Sequence, residues 1–295
     1  MRRIGLTALL LVSVFMASGC AFLTWDPAST TPTATVRTTT GFTTLSPGGT
    51  ITVVASDYGK YPAYQSPAYD LTDVQVYNDH LLQTRDDIIA ANIQVSATMY
   101  QTVVILPGIT RTVVSHATSG SGVLFAEDED FYYALTNFHV LDPGNDDPVY
   151  QIMAFGDTVP AAATMVCFDN ALDLAVLQFE KAGRTQPRLI DWTTRLSRQI
   201  NEGELVLAVG NPEGLENNVT FGEFVRFVSV EDYSYPVIQH SATIDNGSSG
   251  GALVDVDGIL VGINTWGSET DPLKSFAIPI YLVYVFLYNN GFCQP

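Results

Sequence analysis

One turn of this sequence places a serine among glycines directly before an apolar strand. Ser249 lies in the segment GSSGG at residues 247–251, and the apolar segment ALV follows at 252–254. Glycines permit the backbone conformations that present a hydroxyl nucleophile and aim N–H groups at the oxyanion of acyl transfer. We expect Gly247, Ser248 and Ser249 to form this oxyanion hole, with Gly247 and Ser249 as donors. A plain hairpin turn would look the same, so the assignment depends on a partner base and acid.

Two further residues supply that base and acid. His139 closes the segment YALTNFH at the end of an apolar strand, where a neutral imidazole can act as a general base. Asp173 precedes the apolar segment LAVL, where a buried carboxylate without a partner would be costly. A hydrogen bond from His139 would satisfy Asp173 and stabilise the imidazolium that forms when Ser249 loses its proton. The three residues predict a His-Asp-Ser triad and acyl transfer.

The elements that must position these residues are mostly strands. Short apolar or alternating segments are separated by Gly, Pro, Asp and Asn, and long crossover helices are lacking. We therefore expect an all-β fold of two six-stranded antiparallel barrels, over about residues 90–182 and 199–280. The predicted strands are 93–100, 112–115, 121–126, 131–136, 150–155 and 174–179, then 205–209, 220–230, 237–241, 252–256, 259–265 and 275–278. A short C-terminal helix is predicted over about 279–290, between Pro279 and Gly291.

The flanking segments resemble trypsin- and chymotrypsin-like serine proteases of the bacterial HtrA (Deg) type. The matching segments are SGV at 121–123, TNFHV at 136–140, DLAVL at 173–177, GSSGGALV at 247–254 and GILVGINT at 258–265. This resemblance implies a chymotrypsin-like double barrel and a serine endopeptidase that uses neither a cofactor nor a metal. Ser248 and Ala252 replace the family's usual Asn and Pro, and neither change removes a catalytic group. The chain ends soon after the predicted helix, so we expect no PDZ domain behind it.

The resemblance also implies a substrate site. By the family pattern, Thr243 lies at the base of the S1 pocket, and Thr265, Trp266 and Gly267 form the strand that pairs with the substrate backbone. No acidic residue stands where a basic substrate side chain would need one. Asn264 stands where glutamate-specific relatives have a histidine. Cleavage after small or medium apolar residues is therefore expected.

The N-terminus predicts export. Two arginines precede the apolar segment 4–16, and ASGC at 17–20 resembles the lipobox of bacterial lipoproteins, whose cysteine is acylated. We expect a signal peptide at 1–19, a lipid anchor on Cys20 and attachment to the cell membrane; an ordinary signal peptide cleaved nearby is the alternative. Residues 20–50 are Thr-rich and predict a flexible tether. Residues 51–84 predict an irregular extension of open role, and residues 85–295 the protease domain.

Charge and composition limit the partners. The 295 residues include 31 acidic and 13 basic ones, and the net charge of −18 disfavours binding to nucleic acid. The scattered His and Cys residues do not have metal-ligand spacing, and Cys167 and Cys293 are expected not to pair. Protein or peptide substrates are the predicted partners, and homo-oligomerisation stays open. Two other functions are compatible with the same residues: an inactive, protease-fold surface lipoprotein that binds a partner, and an esterase.

Overall fold

The computed structural model describes residues 74–142, 148–181, 187–211, 218–230, 233–268, 271 and 274–293. The predicted signal peptide, Cys20, the tether and most of the predicted extension lie outside these residues. Across the described ranges, no helix combines the length and the apolar character needed to cross a membrane.

The first barrel is closed by six antiparallel strands in the order β1-β2-β3-β6-β5-β4. These are β1 (Asn92–Leu106), β2 (Ile109–Glu127), β3 (Phe131–Thr136), β4 (Val149–Ala154), β5 (Ala161–Asp169) and β6 (Leu174–Glu180). Alternate residues of β1 from Ile93 to Met99 are buried, because successive side chains of a strand point to opposite faces. A four-residue helix, α2 (Phe138–Leu141), follows β3 and holds His139.

The second barrel is closed in the order β10-β11-β12-β9-β8-β7. Its strands are β7 (Leu205–Gly210), β8 (Asn218–Val228), β9 (Val237–His240), β10 (Ala252–Asp255), β11 (Leu260–Gly267) and β12 (Ser275–Pro279). A C-terminal helix, α3 (Ile280–Asn289), begins directly after Pro279 and buries Phe286 and Leu287. The predicted fold of two six-stranded antiparallel barrels and a C-terminal helix is therefore confirmed.

Two of the predicted strands are in fact one, and one strand was not predicted. Residues 112–115 and 121–126 both belong to β2. The polar segment between them also pairs with β1, so the strand is not interrupted there. Strand β5 (Ala161–Asp169) has no fully buried residue, so its hydrophobic pattern is weak. It is held by backbone pairing with β4 and β6. Six strands were thus predicted for the first barrel and six are observed, but the two sets of strands are not the same.

The helix α1 (Val74–Ala91) corrects the predicted boundary at residue 85. The sequence predicted an irregular segment up to residue 84, whereas the helix is continuous through this point. Leu81 and Ile88 are buried in a cluster formed largely by the second barrel. His80 Nε2 lies 2.8 Å from a carboxylate oxygen of Asp257. These partners are far away along the chain, so the polar local sequence alone did not reveal the helix.

His240 is fully buried on β9, and Ile238 and Ala242 on either side of it belong to the apolar interior of the second barrel. Desolvation lowers the pKa of its imidazole to about 3. An unfolded chain would titrate the same group near 6.5. The folded protein therefore holds this histidine neutral at every pH at which the domain is expected to act.

This burial predicts a pH-dependent loss of stability. Below about pH 6.5 the imidazole of His240 is protonated in the unfolded chain but stays neutral in the folded protein. The contribution of this group to the free energy of unfolding is therefore complete above pH 6.5 and is lost as the pH falls towards 3. Between pH 7.5 and 5.0, the free energy of unfolding should fall by about 2 kcal/mol more in the parent than in His240→Leu. Urea denaturation at both pH values measures this, and parallel losses in the two proteins would contradict it.

Candidate active site

His139 and Asp173 meet at the end of β3, where the chain enters α2. The Nδ1 atom of His139 lies 2.8 Å and 3.0 Å from the two carboxylate oxygens of Asp173, and the backbone N–H of His139 donates to the same carboxylate at 2.9 Å. The carbonyl of Asp173 accepts further bonds from the Phe138 N–H and the Asn137 side-chain amide. Asp173 therefore fixes both the imidazole ring and the backbone that carries it.

The backbone of Asp173 adopts a left-handed conformation. With a φ of 54°, Asp173 is the only residue other than glycine with a positive φ in the part of the chain that the structure describes. Asp and Asn adopt this region more readily than other L-residues do. Tyr235 supports the preceding residue, because its hydroxyl donates to the Leu172 carbonyl at 2.8 Å. Such a conformation persists where the surroundings over-determine it, as they do at functional sites.

The second barrel completes the surroundings of the Asp173 carboxylate. Thr265 Oγ1 donates to Asp173 Oδ2 at 3.0 Å, and the Tyr233 hydroxyl lies 3.4 Å from the same oxygen. The ring of Tyr233 stacks on Trp266 with centroids 4.6 Å apart. Donors from both barrels thus converge on one carboxylate. Asp173 itself is buried, with only 8% of its surface exposed.

Ser249 lies at the same junction of the two barrels. Its hydroxyl donates to the Thr265 carbonyl at 2.8 Å, and the Thr265 side chain is the one that bonds Asp173. Ser249 is buried, with 2% of its surface exposed. A series of hydrogen bonds through Thr265 and Asp173 therefore links Ser249 to His139.

The turn before Ser249 has a defined shape. The Ser248 N–H donates to the Asp245 carbonyl at 2.9 Å, and Gly247 has a φ of 95° at the third position of this turn. A positive φ at that position is the signature of a type II turn. Because the Ser248 N–H is engaged within the turn, Gly247 and Ser249 are the candidates for the oxyanion donors.

Ser121 of β2 ties this turn to the first barrel. Its hydroxyl donates to the Gly247 carbonyl at 2.6 Å, and its N–H donates to the Ser249 carbonyl at 2.8 Å. The Ser121 hydroxyl in turn accepts the Asn211 N–H at 2.8 Å. One serine of β2 thus fixes two carbonyl groups of the turn that carries the predicted nucleophile.

The predicted substrate-pairing strand is the end of β11. The Trp266 ring is buried between Tyr233 and Phe276, with both pairs of rings stacked. The Thr265 side chain points to Asp173. Two of the three predicted residues on this strand thus direct their side chains towards the protein interior, and the third, Gly267, has no side chain.

Thr243, the predicted base of the S1 pocket, directly precedes Ile244, which lies close to Gly267. Thr243 is half-buried, and its carbonyl accepts the Thr220 hydroxyl at 2.7 Å. A Cβ atom built on Gly267 would lie 3.2 Å from the Ile244 carbonyl oxygen and 3.5 Å from the Ile244 side chain. A larger residue at position 267 would therefore require the Ile244 backbone to move by a few tenths of an ångström.

Cysteine thiols and clusters of metal-binding side chains are the other groups that could carry chemistry. No group of three or more His, Cys, Asp or Glu side chains has the arrangement of a metal site within the described ranges. Cys167 and Cys293 are both present as thiols. Burial raises the pKa of the Cys167 thiol to about 11, so it is protonated at neutral pH and a poor nucleophile.

Sequence reasoning missed the supporting residues. Tyr233 and Tyr235 are 60 or more residues from Asp173 in the chain and lie in a polar turn without a recognisable motif. Ser121 belonged to a matching segment but had no predicted role, and the hydroxyl of Thr265 was not linked to Asp173. Only the folded arrangement of the two barrels reveals these contacts.

Comparison with known proteins points to one family of proteases. A family model described as the trypsin-like peptidase domain matches residues 120–263. Residues 120–263 are therefore similar to a trypsin-like peptidase domain, and the relatives found are HtrA-type serine proteases. The serine protease Do-like HtrA of Bacillus subtilis is 34% identical to this chain over 177 residues, which cover 55% of this chain and 36% of that protein. The probable periplasmic serine endoprotease DegP-like of Buchnera aphidicola is 34% identical over 182 residues, covering 59% and 37%.

Solved structures support the same family. The crystal structure of the serine endoprotease from Yersinia pestis aligns with a TM-score of 0.54 and 29% identity, covering 71% of this chain and 66% of that one. An HtrA-type protease solved with a tripeptide aligns with a TM-score of 0.57 and 27% identity, covering 71% and 62%. The predicted resemblance to HtrA-type proteases is confirmed. The chain spans little more than a third of the length of these curated relatives.

The packing of the turn that carries Ser249 predicts a strict requirement for glycine at position 250. This glycine has a φ of 88°, and a Cβ atom on it would overlap the Ser121 carbonyl oxygen and the Thr136 hydroxyl. Gly203 has a similar φ of 82° with open space around it, which makes Gly203→Ala a matched control. We expect Gly203→Ala to lower the free energy of unfolding by about 1 kcal/mol and Gly250→Ala by about 3 kcal/mol or more. Equal losses in urea denaturation would show that the turn has room to adjust.

Proposed function

We propose that this HtrA-type domain is a serine endopeptidase that hydrolyses peptide bonds of exported or surface proteins through an acyl-enzyme on Ser249. One observation carries the proposal. His139 Nδ1 and the Thr265 hydroxyl both bond the buried Asp173 carboxylate, and the Ser249 hydroxyl bonds the Thr265 carbonyl. The family match and the named serine proteases among its relatives support the same reaction class.

In the proposed reaction, His139 acts as the base through Nε2, because its Nδ1 is held by Asp173. Nε2 takes the proton from Ser249 as Oγ attacks the substrate carbonyl carbon, and the N–H groups of Gly247 and Ser249 receive the resulting oxyanion. The imidazolium returns its proton to the leaving amine when the peptide C–N bond breaks. Water then adds to the acyl-enzyme by the same route and regenerates Ser249. Asp173 keeps the imidazole in the required tautomer throughout.

The substrate preference that we propose is for small or medium apolar residues before the cleaved bond. Thr243 contributes no charge, Ile244 offers an apolar side chain, and Gly267, which lies close to Ile244, has no side chain. His240, three residues before Thr243, is buried and neutral. The main chain of residues 265–267 can pair with an extended peptide as an added strand, because its side chains are directed inwards or are absent.

For location, we propose export and attachment to the cell membrane through an acylated Cys20. The basic start, the apolar segment and the lipobox-like residues 17–20 support export with lipid attachment. Two relatives carry the word periplasmic in their names.

A fluorophosphonate probe tests the proposed nucleophile without knowledge of the substrate. The full chain should be labelled on one serine, and Ser249→Ala should not be labelled although it folds normally. Labelling that persists in Ser249→Ala would reject the assigned nucleophile. A folded parent that is not labelled would favour the binding-module alternative, and hydrolysis of esters but not of peptides would favour the esterase.

The Thr265 hydroxyl is expected to act as a positioning group. Thr265→Val keeps the backbone carbonyl that contacts Ser249 but removes the donor to Asp173, whereas Thr265→Ser keeps both. A hydrogen bond to a charged group contributes about 1.5–3 kcal/mol, so the labelling rate of Thr265→Val should fall roughly tenfold to a hundredfold. Thr265→Ser should stay close to the parent. Equal rates for the two variants would exclude this role.

The proposed specificity is tested with a peptide library. Cleavage should concentrate after Ala, Val and similar residues, because an ionised side chain would be buried in the proposed pocket without a counter-charge. Mass spectrometry of the products identifies the cleaved bonds. Preferred cleavage after Arg, Lys or Glu would be incompatible with the proposed pocket.

A further inference from the structure

The strands β1 and β2 continue well beyond the first barrel as a two-stranded ribbon. Strand β4 pairs with β1 only from Ile93 to Thr98, whereas β1 and β2 stay paired up to Leu106 and Ile109. We call residues 100–116 the β1–β2 ribbon. At about 3.3 Å per residue, it extends roughly 20 Å from the barrel. Isolated two-stranded hairpins are only marginally stable in water, so the projection calls for an explanation.

The end of the β1–β2 ribbon is aliphatic and exposed. Val104, Ile105, Leu106 and Ile109 expose 70%, 57%, 58% and 53% of their surfaces. They surround a tight turn at Pro107-Gly108, and Val104 lies on the face opposite to that of Val103. Aliphatic side chains thus occupy both faces and the end of the ribbon. A flat protein surface would cover only one of these faces, whereas a fluid apolar phase would cover all of them.

The charge of this region differs from that of the rest of the chain. Residues 88–126 contain no Asp or Glu, although the chain as a whole has 31 acidic residues and a net charge of −18. The β1–β2 ribbon carries one arginine, Arg111, which is exposed and pairs across the ribbon with Val103. The ribbon is therefore a part of this acidic protein that an anionic surface would not repel.

From these observations we propose that the end of the β1–β2 ribbon inserts into the interfacial region of a lipid bilayer. Arg111 lies two residues from Ile109, about 7 Å along the strand. Apolar faces of interfacial elements enter the headgroup and acyl boundary by about 5–10 Å, so the aliphatic end would be submerged while Arg111 meets the lipid phosphates. The ligand is a phospholipid surface, and anionic headgroups add attraction to Arg111.

This insertion would act together with the proposed lipid anchor. One shallow apolar contact binds a membrane weakly, and stable attachment takes two such signals. An acyl chain on Cys20 would tether the domain, and the ribbon would add a second point of contact on the folded domain itself. The second contact fixes the orientation of the domain relative to the membrane, which a flexible tether does not.

Tryptophan variants test the insertion directly. The full chain is reconstituted with phosphatidylcholine and phosphatidylglycerol vesicles as Leu106→Trp and, as a control, as Val159→Trp. Val159 is an aliphatic residue of the same barrel that is 69% exposed outside the ribbon. After subtraction of the parent emission, Leu106→Trp should shift to shorter wavelength and lose roughly half of its intensity to brominated lipids, because its ring lies in the interface. Val159→Trp should do neither.

Two outcomes would overturn the proposal. If the emission of Leu106→Trp does not change when vesicles are added, the end of the ribbon lies in water. A shift that is present without lipid, grows with protein concentration and resists brominated lipid would identify a contact with a second copy of this chain instead.

A matched pair of charge variants gives an independent measurement. In the Cys20→Ser background, Val104→Asp should lower the vesicle-bound fraction in flotation about tenfold, whereas Val159→Asp should leave it unchanged. Equal binding of the two variants would contradict insertion. Fluorophosphonate labelling of Val104→Asp without vesicles should equal that of the parent, so the outcome does not depend on the proposed catalytic function.

Discussion

A single buried carboxylate determines how the two barrels must meet. Asp173 directly precedes β6 in the first barrel, and a charge placed there would be costly without several donors. Two of its donors come from His139 in the same barrel, and the Thr265 hydroxyl comes from the other. Satisfying this one group therefore requires α2, β6 and β11 to be in register with one another, and that register defines the candidate active site.

The turn that carries Ser249 is held by a second contact between the barrels. Ser121 of β2 bonds the carbonyls of Gly247 and Ser249, and the glycine after Ser249 fits against the same strand without space for a side chain. Backbone carbonyls that are fixed in this way leave the turn little freedom, so its N–H groups keep one direction. The site is thus organised by packing and backbone hydrogen bonds before any substrate arrives, which is the condition for electrostatic stabilisation of an oxyanion.

Short sequence patterns were sufficient to predict most barrel strands and to select the candidate site residues. The barrels follow from alternating strands, and His139, Asp173 and Ser249 could be selected because each stands in a short, distinctive segment. The helix α1 and the role of Tyr233 could not be predicted, because their partners are distant in sequence and their own segments are polar. Strand β5 was missed for a related reason, since it has no buried face and depends on the ladders of its neighbours.

At position 173 the backbone conformation and the side-chain charge are separate requirements on the residue. The conformation with a φ of 54° suits Asn as well as Asp, whereas the hydrogen bonds from His139 and Thr265 call for a negative charge. An asparagine at this position would keep the shape of the loop but lose the charge that orients the imidazole. In evolutionary terms, one substitution at Asp173 could end the proposed catalysis and keep the fold intact, which is how an enzyme scaffold becomes available for binding alone.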